Sequence, residues 1–158
     1  MKIILKSEKD TIKFGEYLSK ILPIPSCLAL NGDLGSGKTV LCKSIVSSVT
    51  GTDYVPSPTF NLVNEYEFGK NRIFHFDFYR LENANELYNI GYYDYISNKR
   101  AIVLIEWADK FPDELPENHI KIDFFKNHDE RTLEISSPCD EYHVFLKNCQ
   151  IFAKTEFL

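Results

Sequence analysis

The sequence has no long apolar run. Nothing in its 158 residues approaches the length needed to cross a bilayer, and Met1-Lys2-Ile3-Ile4-Leu5-Lys6 is a short strand-like stretch, not the apolar segment of a secretory signal. Paired cysteines are missing too. Cys27, Cys42, Cys139 and Cys149 show no C-x-x-C spacing, which argues against disulfides or zinc and for reduced thiols in a cytoplasmic protein. Basic residues are outnumbered, 18 against 23 acidic, so a net charge of −5 excludes a domain-wide footprint for a nucleic-acid backbone. Glycine and proline, 7 of each, are too few for a low-complexity chain, and 44% hydrophobic with 26% charged residues is the composition of one ordinary globular domain over residues 1–158.

Against that background one motif stands out. Gly32-Asp33-Leu34-Gly35-Ser36-Gly37-Lys38-Thr39 matches G-x-x-x-x-G-K-[ST] and directly follows the apolar run Cys27-Leu28-Ala29-Leu30. Glycines let backbone N–H groups face a polyphosphate, Lys38 adds a point charge for the outer phosphates, and the Thr39 hydroxyl suits Mg²⁺. Helical spacing continues from Lys38 to Val46, so the strand-loop-helix context the motif requires is present. ATP with Mg²⁺ is the expected ligand.

The rest of the chain reads as α/β. Ser7 to Asp10 resembles a capping box opening a helix whose apolar stripe is Ile12, Leu18, Ile21 and Leu22, ended by Pro23 and Pro25. Thr59 to Phe68 and Arg72 to Asp77 are strand-like runs around Gly69-Lys70-Asn71, a hairpin that predicts an antiparallel pair and hence a mixed sheet. A short helix is expected over Glu82 to Asn89, a doubly buried strand over Ala101 to Ile105, and two late strands over 120–124 and 131–135. Tyr142, Phe145, Leu146, Cys149 and Phe152 mark a C-terminal amphipathic helix. The fold predicted is a P-loop NTPase-like three-layer domain with a mixed sheet.

Phosphoryl transfer needs a metal-shell carboxylate and a group to orient the nucleophile. Glu106 leaves a buried strand at its carboxyl end, where ligands of open α/β sheets sit; it is either a metal carboxylate or a solvated strand-end acid. In His75-Phe76-Asp77-Phe78-Tyr79-Arg80, alternation puts His75, Asp77 and Tyr79 on one face and Phe74, Phe76 and Phe78 on the other. Asp77 either orients a water or acts as base, or it braces the sheet with Arg80. Ser57-Pro58-Thr59-Phe60 is a rigid turn ending in a hydroxyl, and Trp107 is either a cover for the nucleotide or core.

Taken together, the phosphate loop, Ser57-Pro58-Thr59-Phe60-Asn61-Leu62-Val63, His75-Phe76-Asp77-Phe78-Tyr79-Arg80-Leu81 and Ile105-Glu106-Trp107-Ala108 resemble, in order and spacing, the TsaE family, formerly YjeE. That family is the bacterial ATPase of tRNA threonylcarbamoyladenosine biosynthesis. The resemblance covers Thr11 to Arg131. It implies that Leu34, Gly35, Ser36, Gly37, Lys38 and Thr39 hold the phosphates, that Thr39 and Glu106 hold Mg²⁺, and that Asp77 matters for hydrolysis. It also suggests that Thr11 and Arg131 border the nucleotide; Thr59 resembles the threonine of a switch loop, and Thr59 and Trp107 are further candidates for nucleotide binding. The partners implied are TsaB and TsaD, with tRNA reached only through them and no membrane involved. Ser36 stands where the family often has alanine, a change within small residues. Two other readings share these residues: a small P-loop metabolite kinase, and a binding module whose turnover is incidental. Only four arginines, Arg72, Arg80, Arg100 and Arg131, are scattered over different elements, which disfavours a kinase lid.

Overall fold

The computed structural model describes residues 1–157. Seven strands form one sheet in the order β1-β7-β6-β2-β5-β4-β3: β1 Lys2–Leu5, β2 Ser26–Asn31, β3 Val63–Phe68, β4 Asn71–Asp77, β5 Ala101–Glu106, β6 Ile120–Asn127 and β7 Glu130–Ser136. β6, β2, β5 and β4 run parallel at the centre, while β1, β7 and β3 pair antiparallel at the edges. The sheet is mixed, as the hairpin predicts. β2 and β5 are buried along their whole lengths, which is why they read as unbroken apolar runs.

Alternation sorts side chains between two cores. Leu28, Leu30, Ile73, Ile102 and Leu104 face α1 (Glu8–Ile21), α2 (Lys38–Thr50) and α5 (His143–Glu156). Ala29, Phe74, Phe76, Val103 and Ile105 face the other way, against two short helices, α3 (Asn85–Asn89) and α4 (Tyr92–Ile96). The result is three layers.

Local structure departs from the sequence reading in four places. In α1 the buried face is Thr11, Phe14, Gly15 and Leu18, an i, i+3, i+4, i+7 set, while Ile12 is 38% exposed. The Ser7 hydroxyl caps the Asp10 N–H, but the Asp10 carboxylate accepts from Lys6 N–H and so braces one residue upstream of a capping box. The first hairpin strand starts at Val63, not Thr59, because the Pro58 carbonyl accepts from both Asn61 and Leu62 N–H and folds that segment into a turn. The helix expected over Glu82 to Asn89 is confined to Asn85–Asn89. α4 then follows Gly91, which takes a φ of 73°. Tyr92 anchors α4 edge-to-face on Phe76 and Phe78, with ring centroids 5.4 and 5.6 Å away.

Candidate functional site

The phosphate loop joins β2 to α2 at the carboxyl end of the sheet. Gly32, Gly35 and Gly37 take φ values of 135°, 73° and 114°, a backbone L side chains rarely adopt. At Gly32 a Cβ would also lie 2.6 Å from the Phe124 carbonyl oxygen, so close packing enforces glycine there. Lys38 is folded back into the loop: its Nζ donates to the carbonyls of Gly32 (2.5 Å) and Asp33 (2.9 Å) and to Ser36 Oγ (3.3 Å). The same ammonium lies 4.2 Å from the centroid of the Trp107 ring. Burial pulls Lys38 below the usual ammonium range, opposed by the carboxylates of Glu106, Asp109, Asp77 and Asp33.

Strand register brings the carboxylates under the start of α2. Glu106 pairs with Asp77, and both share a sheet face with His75, the face on which α2 packs. Glu106 is held at both ends: Oε2 accepts from the Thr39 hydroxyl at 2.6 Å, and Oε1 meets His75 Nε2 at 2.8 Å. At 2% exposure it is no solvated strand-end acid. Asp77 is equally fixed, one oxygen accepting from the Thr59 hydroxyl at 2.8 Å and the other from the Tyr79 N–H at 2.9 Å. Arg80 does not brace it, because its guanidinium stacks 4.2 Å above the Phe60 ring instead. Asp77 therefore ties the Ser57–Leu62 turn to the strand end; Ser57 Oγ lies 2.8 Å from Thr59 Oγ1.

These groups enclose a cleft of about 360 Å³ lined by the loop from Leu34 to Val40, by Thr59, Asp77 and Glu106, and by Trp107 and Arg131. Trp107, at a φ of 58°, packs against the core behind, as the core reading has it, and presents its ring to Lys38 on the cleft side. Arg131 sits on β7, and a Cβ on Gly37 would lie 3.7 Å from its Nε, a buried donor with no hydrogen-bond partner among the described residues. Thr11 is not brought into the cleft: it is fully buried inside α1, its hydroxyl donating to the Ser7 carbonyl at 3.4 Å. From α1 the lining residue is Glu8, which sequence reasoning missed together with Tyr79 and Lys126. Lys126 faces Arg131 across the β6–β7 ladder, so the arginine and its register were the signal for it. Thr39 and Glu106 offer adjacent hard oxygens of the kind Mg²⁺ takes, and the loop with Lys38 and the unpartnered Arg131 Nε offers donors for an anion.

Fold and site together define a P-loop NTPase-like α/β domain. A profile of the family described as threonylcarbamoyl adenosine biosynthesis protein TsaE matches residues 5–133, and the chain belongs to that family. It is similar to the tRNA threonylcarbamoyladenosine biosynthesis protein TsaE of Haemophilus influenzae, with 40% identity over 124 residues and 78% of each chain covered. It is also 36% identical over 108 residues to the Rickettsia felis protein of that name, where the match spans 68% of this chain and 62% of the relative. The crystal structure of Bacillus subtilis YdiB superposes with a TM-score of 0.76, covering 96% of this chain and 95% of that one; at 22% identity it is a likeness of fold. Among the described residues no helix is long and apolar enough to cross a membrane.

Proposed function

We propose that the chain is a Mg²⁺-dependent ATPase serving tRNA threonylcarbamoyladenosine formation, and that it works with TsaB and TsaD. The observation that carries the reading is the convergence of Thr39 and Glu106 oxygens beside the phosphate loop, at 2.6 Å, with Asp77 fixed alongside.

In this reading the loop N–H groups from Leu34 to Thr39 and the Lys38 ammonium bind the phosphates, Lys38 leaving its carbonyl partners for them. Thr39 and Glu106 hold the metal. When bound, Mg²⁺ neutralises the charge on the phosphate oxygens. Asp77, whose two oxygens already accept one bond each, keeps lone pairs to orient a water, and Thr59 links its position to the turn preceding β3. Trp107 shields the cleft from solvent. Arg131 and Lys126 supply further cations at the cleft wall.

The alternative of a metabolite kinase finds little support in the cleft, where Arg131 is the one arginine among the lining residues; Arg72 pairs with Glu65 and Glu67 and Arg80 with Phe60. A net charge of −5 argues that tRNA is reached through the partner complex, since phosphate contacts by Lys and Arg supply most non-specific affinity. A pull-down of TsaB–TsaD across nucleotide-free, ADP and ATP-analogue states tests the partnership. State-dependent retention is expected; tight tRNA binding by the chain alone, or no association in any state, would refute it.

A further inference from the structure

Behind the Thr39–Glu106 pair lies a second donor set, which shares Glu106 with the proposed activity and adds two side chains, Cys42 and His75, that the activity does not use. Cys42 follows Thr39 by one helical step on α2, so both side chains point to the strands carrying His75 and Glu106. The Cys42 sulfur, a His75 ring nitrogen and a Glu106 carboxylate oxygen all lie within 4.8 Å of one another. Cys42 and His75 are fully enclosed and Glu106 nearly so. While His75 Nε2 meets Glu106, its Nδ1 is buried and, among the described residues, has no hydrogen-bond partner, the kind of orphan a ligand satisfies. Magnesium does not explain such a set. Thiol and imidazole donors select zinc and other thiophilic ions, whereas Mg²⁺ takes oxygen.

We propose that Cys42, His75 and Glu106 form a site for a thiophilic divalent cation, of which Zn²⁺ is the type, at the floor of the phosphate cleft. Charge supports this choice: one thiolate, one carboxylate and a neutral imidazole balance a divalent ion, leaving no net charge in a buried place. As the metal–sulfur bond forms, the Cys42 S–H bond breaks and its proton passes to water. Metal–ligand bonds of about 2.0–2.3 Å set donors about 3.3–3.7 Å apart, so His75 Nε2 and Glu106 Oε1, now 2.8 Å apart, open by about 0.5 Å and the Cys42 sulfur, within 4.8 Å of its partners, adjusts to match, a side-chain movement. Glu106 lines the cleft, which gives the ion an entry path and leaves a fourth position open toward Thr39. The three donors come from α2, β4 and β5, which is why cysteine spacing in the sequence gives no sign of them. A consequence, resting on the ATPase reading, is that the ion draws Glu106 away from magnesium and lowers turnover.

The test uses Co²⁺ as a spectroscopic stand-in, added to the full chain without nucleotide. One ion per chain with a thiolate-to-cobalt charge-transfer band is expected, displaced by Zn²⁺. Cys42→Ala and Cys42→Ser should lose the band, His75→Asn should weaken uptake by at least ~10-fold, and Cys139→Ala, outside the cluster, should keep the band. Circular dichroism of each variant identifies a misfolded one, and the serine variant preserves side-chain volume. No sulfur band in the parent chain, or a band that survives both Cys42 variants, would overturn the proposal. Because no ATP is present, a Cys42-dependent band with no ATPase activity would leave this site standing and sink the proposed function instead.

Discussion

Truncating Glu106 separates its structural role from its chemical one. Its carboxylate, 2% exposed, accepts from Thr39 Oγ1 at 2.6 Å and meets His75 Nε2 at 2.8 Å. Glu106→Ala strands both partners. His75 has no solvent to turn to, so its unpaired nitrogen costs about 1–3 kcal/mol; Thr39 borders the cleft, so water recovers part of its bond. Relief from burying a carboxylate offsets some of the loss, leaving a net destabilisation of about 2–3 kcal/mol. Glu106→Gln keeps the shape and one acceptor, and the hydroxyl of Thr39 can donate or accept. Only charge assistance disappears, about 1 kcal/mol. Urea unfolding at constant slope reads the difference: with a slope of about 1.5–2 kcal/mol per molar, the alanine midpoint falls by about 1–2 M and the glutamine midpoint by about half that or less. Both variants should lose Mg²⁺-dependent phosphate release. Equal midpoints for the two variants would refute the hydrogen-bond account, and a parent-like magnesium titration in Glu106→Gln would refute the metal role.

Lys38→Ala should fold yet bind nucleotide ~10–100-fold more weakly, the worth of a charge-assisted contact, and should shift emission from the single tryptophan because Trp107 loses the ammonium 4.2 Å from its ring. Parent-like affinity by nucleotide titration would contradict this. Gly15→Ala places a Cβ 2.6 Å from Ser44 Oγ and 2.7 Å from Ser44 Cβ where α1 meets α2. Overpacking of about 1–3 kcal/mol exceeds a helix-propensity gain of about 1 kcal/mol over most of that range, so a net loss of up to about 2 kcal/mol is expected; a higher melting temperature would count against that contact. Burial pushes the thiols of Cys27 and Cys149 up to about 12, so above about pH 8.5 the unfolded chain releases these protons first. Stability then falls with rising pH until the folded thiols ionise, by at most about 1.4 kcal/mol per pH unit for each thiol. Cys149→Ala should flatten the decline measured by unfolding across that range, and an unchanged slope would contradict it.

The phosphate loop was legible because its chemistry is local: glycine is required where φ is positive, and lysine and threonine follow at fixed offsets. β5 was legible because a strand buried on both faces leaves an unbroken apolar run. Boundaries set by tertiary contacts were not. Leu62 takes a φ of 66°, which leucine does nothing to advertise, so the turn ahead of β3 read as strand. The tyrosine-rich α4 has weak helix propensity and owes its place to Tyr92 packing on Phe76 and Phe78. At the site, alternation correctly put His75 and Asp77 on one face, yet their partners belong to other segments. Glu106 for His75 emerges only once β4 and β5 are in register, and Thr59 for Asp77 only once the turn ahead of β3 folds against the end of β4.

The measurement that bears most directly on the central claim is phosphate release from ATP by the full chain, alone and with TsaB–TsaD plus tRNA, with and without Mg²⁺. The account predicts release that requires Mg²⁺, fails in Lys38→Ala and changes when the partner complex and tRNA are added. Release that persists without the metal or in Lys38→Ala, or no release from the parent chain in any mixture, would contradict it.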